Sequence, residues 1–278
     1  MNPSQPLVSI IIPNYNYARF LRDAVDSALA QTYAPVEVIV VDDGSSDGSR
    51  SVIRSYGGKV QEVLQANMGA PGARNAGIAR AMGEFLVFLD ADDALLPDAV
   101  ESLLQGFRDF PDSGIVFGDT LKDPPAESAS AAPAAAGHVF SRDEFLFRNF
   151  ILMPTAMVRR RVIEKIGGFN AAFLQADDYD LWIRGATAFP VRHVERAVAR
   201  VRRHEGSLSG DRVRQLTWET RVLASHQDGS LLARKALGRA LHRLAYECRL
   251  ARNAGLFRRS SLESGRYDPF YWKGWCYL

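Results

Sequence analysis

Cysteine is almost absent, with only Cys248 and Cys276 among 278 residues. Neither has a partner at the short spacing of a zinc site, and two are too few for a disulfide framework. A reducing, cytoplasmic location is the expectation. Long apolar runs are missing too, since no stretch reaches the roughly 20 residues a membrane-spanning helix needs. The opening MNPSQPLVSIIIPNYN has no basic segment before its apolar run. That run is short and β-branched, unlike the core of a signal peptide. A soluble or peripheral protein is expected. Repeats are also lacking. What is plentiful is apolar side chain, at 47% of the composition, enough for a sizeable core and too much for a disordered chain.

The net charge of +2 hides a division. Residues 1 to 190 carry 16 Lys/Arg against 24 Asp/Glu, a charge of −8, and residues 191 to 278 carry 18 against 8, a charge of +10. An acidic front suits a divalent-cation site, and a basic rear suits phosphates, anionic lipid or an acidic acceptor. Mutual neutralisation across an interface explains the same counts.

From Val8 onward, short β-branched runs alternate with helical patterns: VSIIIP, a helix from Phe20 to Gln31, VEVIVVDD, a helix from about Asp47, VQEVLQ, a helix from about Pro71, then FLVFLD. That rhythm predicts βαβ units around a mostly parallel sheet with helices on both faces. Polar ligands of such sheets bind at the carboxyl ends of the strands. Asp42 and Asp43 end one expected strand, and Asp90, Asp92 and Asp93 end another, so they are expected at one rim. Asp47, in DGSSDGS, reads as a helix cap.

KDPPAESASAAPAAAG, at 122 to 137, has no periodicity and is expected to be a mobile loop. A helix near Arg142 to Asn149 and another ended by Gly167 and Gly168 follow. From about Ser230 to Asn253, Leu237, Leu241, Leu244 and Cys248 form an apolar stripe, with Lys235, Arg239, Arg243 and Arg249 on other faces. This basic helix and the aromatic tail YDPFYWKGWCYL either pack onto the rest of the chain, the favoured reading, or touch a membrane.

Asp90-Ala91-Asp92 places two carboxylates at the end of a rigid strand. Mg²⁺ or Mn²⁺ binds hard oxygen ligands and bridges diphosphates with only one or two protein carboxylates. An isolated Asp-x-Asp is weak evidence, but its company is specific. VSIIIPNYN, VEVIVVDDGSSD, NMGAPGARNAG, GEFLVFLDADD, ADDYDLWIR and VRRHEGSLS occur in that order. Together they resemble the family 2 glycosyltransferases of the GT-A fold, over about residues 7 to 210.

The resemblance implies transfer of a sugar, with inversion, from a nucleoside-diphosphate donor, most often a UDP-sugar, to an acceptor hydroxyl. It implies Mn²⁺ or Mg²⁺ as cofactor and a glycan or glycolipid acceptor, in surface polysaccharide or lipopolysaccharide synthesis. Pro13 and Tyr15 are expected to line the base pocket, with Asp43 accepting a hydrogen bond from the base and Asp42 beside it. Asn67, Gly69, Arg74 and Asn75 run beside the nucleotide, where small residues allow close approach and Arg74 meets a phosphate. Asp92 is the expected metal ligand; Asp90, with Ala91 on the nucleotide side, contacts the ribose or the metal's waters. His204 matches a histidine near the metal or diphosphate, whereas His138, His193, His226 and His242 read as structural.

Asp178 is the expected base, with Asp177 as the competing candidate. Clustered carboxylates repel one another and raise at least one pKa, which improves a base. Leu181 and Trp182 are expected in the core. The implied layout is a catalytic domain over 1–210, with a donor half at about 7–120 and an acceptor half at about 138–210, followed by a basic helical extension over 211–278. A nucleotidyltransferase would carry a glycine-rich loop where PNYNYARF stands. A degenerate, binding-only relative would not keep Asp43, Asp92 and Asp178 together, and a signalling receiver would carry its acidic pair on the first strand. The basic tail matches no nucleic-acid motif.

Overall fold

The computed structural model describes residues 5–123, 137–202, 204 and 211–268. Most of the Pro/Ala/Ser stretch (124–136), the segment 205–210 and the tail from 269 lie outside the described residues.

The front half runs β1 (Val8–Asn14), α1 (Ala18–Leu29), β2 (Val36–Asp42), α2 (Ser49–Arg54), β3 (Gln61–Leu64), α3 (Gly69–Arg80), β4 (Phe85–Phe88), β5 (Ala94–Leu95) and α4 (Ala99–Asp109). The rear half continues with β6 (Ile115–Asp123), β7 (Val139–Phe140), α5 (Arg142–Phe147), β8 (Ala156–Arg159), α6 (Arg160–Ile166), α7 (Asp177–Ala188), β9 (Val191–Arg202), α8 (Arg212–Ser225), α9 (Leu231–Leu250) and α10 (Ala254–Tyr267).

The strands form one sheet in the order β3-β2-β1-β4-β8-β6-β9-β5, with β7 on β9. The expected parallel pairing holds across β3-β2-β1-β4. β8 then enters antiparallel between β4 and β6, and β6 and β9 pair in parallel again. β1, β2 and β4 are mostly apolar because both faces are covered. Successive side chains face opposite sides: Ile11, Ile39, Val41, Leu86 and Phe88 join one core, and Val8, Ile10, Ile12, Val38, Val40 and Val87 join the other.

α3 crosses β1 at close range. A Cβ on Gly77 would collide with the Ile11 side chain, so only glycine permits this seating. Gly69 opens α3 with φ of +76°, in the left-handed region. Gly167 ends α6 at φ +82°, the expected stop.

α8 and α9 do not stand apart. Val222, Leu223, Ala233, Ala236, Leu237, Ala240 and Leu241 lie in the same core as Phe145, Leu181 and Trp182. The apolar stripe expected on α9 is buried at Leu237, Leu241, Leu244 and Cys248, so the packing reading holds for the described part of the extension. Among the described residues, no helix is long and apolar enough to cross a membrane.

Candidate active site

Parallel register brings the strand ends together, because Asn14 pairs with Asp42 and Ile11 with Phe88. The rim they form carries the acidic residues, but these do different work. Asp42 is fully buried and accepts hydrogen bonds from Asn14 Nδ2 (3.2 Å), Ser45 N (3.3 Å) and Arg50 Nε (2.9 Å). It staples the β1 and β2 ends to the following turn. Asp43 is also buried, and its Oδ1 accepts from Gln65 Nε2 (2.6 Å) and Met68 N (2.8 Å). Pro13 is buried in β1, and Tyr15, just past the strand, is exposed at 46%. Asn67 Oδ1 accepts from Gly69 N at 3.2 Å, shaping the entry to α3. Asp47 accepts from Ser49 N (2.9 Å) and Ala18 N (3.0 Å), the expected capping role, tying the starts of α1 and α2 together.

Beyond β4, Asp90, Asp92 and Asp93 crowd one turn, while the Ala91 side chain between them is buried in the core. Burial and the charge of Asp90 raise the pKa of Asp92, opposed by a hydrogen bond from His204. Burial, then Asp90 and Asp92, push Asp93 up to about 8 although its Oδ1 accepts from Arg202 N at 2.9 Å. Tyr17 is raised by burial and by Asp92 and Asp90. His204 Nε2 lies 3.0 Å from Asp92 Oδ2, and Arg19 Nη2 lies 3.3 Å from His204 Nδ1. Arginine only donates, so Nδ1 accepts and the ring hydrogen sits on Nε2, directed at Asp92. The ring packs against Phe20 and Tyr17, at centroid distances of 4.7 and 5.9 Å.

These groups fit a divalent cation of the kind that draws most of its shell from diphosphate and water. Asp92 supplies a hard oxygen, and the excess negative charge of the turn is what a cation relieves. Among the described residues no group of three or more His, Cys, Asp or Glu is arranged to hold a metal by itself.

The second acidic cluster opens α7. Asp177 is buried and raised by burial, with Arg74 opposing. Asp178 is half-buried and is pushed up to about 7, first by burial and then by Asp177, with Arg74 opposing. It accepts from Tyr179 N (2.7 Å) and Asn149 Nδ2 (3.4 Å). Asp180 belongs to the structure instead: burial pushes it up, but hydrogen bonds from His226 (2.9 Å) and Arg184 (2.8 Å) outweigh that and leave it lowered. Leu181 and Trp182 are fully buried.

Arg74 stands between the two clusters. Its Nη2 donates to Asp90 Oδ1 and its Nη1 to Asp177 Oδ2, each at 2.6 Å. Expected at a phosphate, it is engaged with carboxylates, and its Nε is buried without a hydrogen-bond partner. Asn75, expected beside the nucleotide, exchanges both amide hydrogen bonds with the Phe169 backbone at 2.8 Å and anchors the segment that leads into α7. The structure thus gathers Asp90, Asp177 and Asp178 around Arg74, sets Asp92 with His204, and leaves Asn75 as a brace.

Sequence reasoning missed Asn149, Tyr17 and Arg19. Tyr17 and Arg19 follow directly on PNYN, and their place past the end of β1 was the available signal; Asn149, on an irregular segment, offered none. Three of the histidines read as structural sit against carboxylates: His138 with Glu144 (2.8 Å), His193 with Asp119 (3.0 Å) and His226 with Asp180.

The model of glycosyl transferase family 2 matches residues 9–167. An uncharacterised glycosyltransferase of Rickettsia typhi is 31% identical over 223 residues, 77% of this chain and 70% of that protein. A chondroitin synthase of Pasteurella multocida is 34% identical over 194 residues, 69% of this chain, which spans only 20% of that longer protein. Among solved structures, S. aureus TarS 1-349 in complex with UDP-GlcNAc superposes with a TM-score of 0.71 at 17% identity, over 94% of this chain and 81% of that one. The mannosyltransferase PcManGT of Pyrobaculum calidifontis, in complex with GDP-Man and Mn²⁺, gives 0.63 at 22% identity, over 96% and 82%. The fold is therefore the expected GT-A fold, and with more than half its length matched by the family model, the chain belongs to glycosyl transferase family 2.

Proposed function

We propose that the chain transfers a sugar, with inversion, from a UDP-sugar to a hydroxyl of a glycan or glycolipid, in the synthesis of a surface polysaccharide or lipopolysaccharide. The observation that carries this reading is the half-buried Asp178, pushed up to about 7 and adjacent to Asp177, which Arg74 ties to Asp90 of the Asp90-Ala91-Asp92 turn. A carboxylate of that strength is half ionised near neutrality, where it both accepts a proton and remains a useful base. The acceptor hydroxyl gives its proton to Asp178 as its oxygen bonds to the anomeric carbon. The bond from that carbon to the diphosphate breaks, and its electron pair leaves with the diphosphate. Attack from the opposite face inverts the configuration.

Pro13 and Tyr15 would line the base, Asp43 would accept from it, and Asn67 and Gly69 would flank the nucleotide. Asp92, with His204 and Asp90 beside it, would hold Mn²⁺ or Mg²⁺, whose charge would stabilise the departing diphosphate. TarS with UDP-GlcNAc supports a nucleotide-sugar donor, and PcManGT with Mn²⁺ supports a divalent ion. The chondroitin synthase supports a glycan product. On this reading residues 1–210 are catalytic, and the basic extension of 211–278 meets the acceptor or an anionic membrane face from the cytoplasmic side.

The test is calorimetric screening of nucleotide sugars with and without Mn²⁺, followed by nucleoside-diphosphate release with candidate acceptors. Binding of a UDP-sugar that depends on Mn²⁺ is expected. Absence of binding by any nucleotide sugar would overturn the reading.

A further inference from the structure

One buried guanidinium faces both halves of the site. Arg74, with its side chain 8% exposed, reaches Asp90 at the end of β4 and Asp177 at the start of α7, residues 87 apart in the sequence. Its own position is held tightly. Gly77, one turn on, seats α3 against Ile11; Asn75, the next residue, is locked to the Phe169 backbone; and the Phe169 ring lies 5.4 Å from the Arg74 guanidinium. A planar guanidinium offers separate donors to two carboxylates, which a single ammonium cannot do in the same geometry.

The charge balance is uneven. Asp90, Asp177 and Asp178 share this one cation, and it is spent on the first two. No Lys, Arg or His among the described residues lies within ion-pair distance of Asp178. We propose that Arg74 is a positioning residue for transfer: it ties the donor-side carboxylate Asp90 to the first turn of α7 through Asp177, and so leaves the adjacent Asp178 as the carboxylate without a cationic partner. This rests on the reading of Asp178 as the base.

The groups that face Asp178 are few. Asp177 adjoins it on α7, Arg74 comes from α3, Asp90 from the β4 end, and the Asn149 amide from the segment after α5. Just past α8, His226 is taken up by Asp180, while Glu219 of α8, with Arg243 of α9, acts on Tyr179. Arg74 is thus the cation that bears on Asp178, and Asp177 is the nearest anion. The inference gives opposite signs for removing each. Loss of the Arg74 charge raises the Asp178 midpoint. Loss of the Asp177 charge removes a repulsion and frees the guanidinium, and lowers it.

The full chain labelled with ¹³Cγ-aspartate tests this by NMR titration, the Asp178 signal being assigned by its loss in Asp178→Asn. Arg74→Met should raise the midpoint by about one pH unit, Arg74→Lys should restore most of it, and Asp177→Asn should move it down. A purely structural role for Arg74 would not produce opposite shifts. If Arg74→Met does not fold, Asp177→Asn, which keeps shape and a hydrogen-bond acceptor, carries the test. A midpoint unmoved by either substitution, or raised by Asp177→Asn, overturns the inference. Opposite shifts with a fully active Asp178→Asn would instead overturn the base assignment alone.

Discussion

Asp178→Asn should make the protein more stable while making it a far poorer catalyst. The carboxyl is pushed from an ordinary value of 3.8 to about 7 by burial and by Asp177, and a rise of that size corresponds to at most about 4 kcal/mol. The sign follows from proton counting. Between those two pH values the folded chain holds a proton that the unfolded chain has released, so stability is full at low pH, falls as pH rises toward 7, and levels off above it. Asparagine has no such cost. It still loses some hydration, and the site is only half-buried, so about half the ceiling, roughly 2 kcal/mol, is expected at pH 8, or about 4 °C or more in Tm. At about pH 4 the two proteins should melt nearly together. Transfer, measured as nucleoside-diphosphate release, should fall by roughly two to four orders of magnitude, because the proton acceptor is gone. For the unsubstituted protein, activity should rise through about pH 7, with about fifty-fold less near pH 5 than at neutrality if Asp178 alone controls the limb. A Tm difference independent of pH, or an acid limb that survives in Asp178→Asn, would refute the reasoning.

Three further outcomes are expected. UDP should bind weakly in EDTA and more tightly with Mn²⁺, since two phosphates facing the Asp90-Ala91-Asp92 turn meet like charge; calorimetry with Asp92→Asn should show that metal dependence lost, while Asp43→Ala weakens binding with and without metal. Asn75→Ala removes both hydrogen bonds to the Phe169 backbone, and chemical denaturation should report a loss of about 2 kcal/mol; an unchanged midpoint would show that α7 is placed without this brace. Gly238→Ala puts a Cβ 2.7 Å from the Asp268 Cβ and 2.9 Å from its backbone nitrogen, so the α9–α10 contact should loosen at a cost of about 1–3 kcal/mol, read as earlier proteolysis beyond residue 253, with UDP affinity unaffected.

Much of the strand-end rim was legible because it is local. Strand runs such as VSIIIPN and VEVIVVD announce themselves by the β-branched stretches at their centres, and the residues just past them are bound to reach one rim once the strands pair in parallel. The division of labour within each acidic pair was not legible. Asp42 and Asp43 are neighbours of the same type, yet the period-2 pleat sends one into the turn behind the sheet and the other toward Gln65 and Met68. That Asp177, more than a hundred residues on, arrives beside Arg74 is likewise not visible in the sequence. The antiparallel entry of β8 between β4 and β6 was hidden for the same reason: a short apolar strand carries no mark of its direction.

The helices after residue 210 bear on α7 by a route that charge counting obscured. Their basic surplus drew attention to phosphates and membranes, but the described helices bear first on α7. His226, just past α8, donates to Asp180 across 2.9 Å, and Arg142 on α5 bridges the His226 carbonyl (3.1 Å) and Asp228 (3.0 Å). Asp180 in turn holds Arg184, whose guanidinium reaches the carbonyls of Ile166 and Gly168 at 2.9 Å. Three elements far apart in sequence therefore close around the one-turn segment that presents Asp177 and Asp178. Behind it, Tyr179 hydrogen-bonds the Phe145 carbonyl at 2.6 Å, and Trp182 shares its core with Val222, Leu223 and Leu237. A carboxylate pushed up by burial keeps that property only while its surroundings stay dry and fixed. With the α7 first turn anchored at Arg74 in front and at His226 and the α8–α9 core behind, the described helices α8 and α9 share one packed core with α7, and so help to hold the candidate base in place.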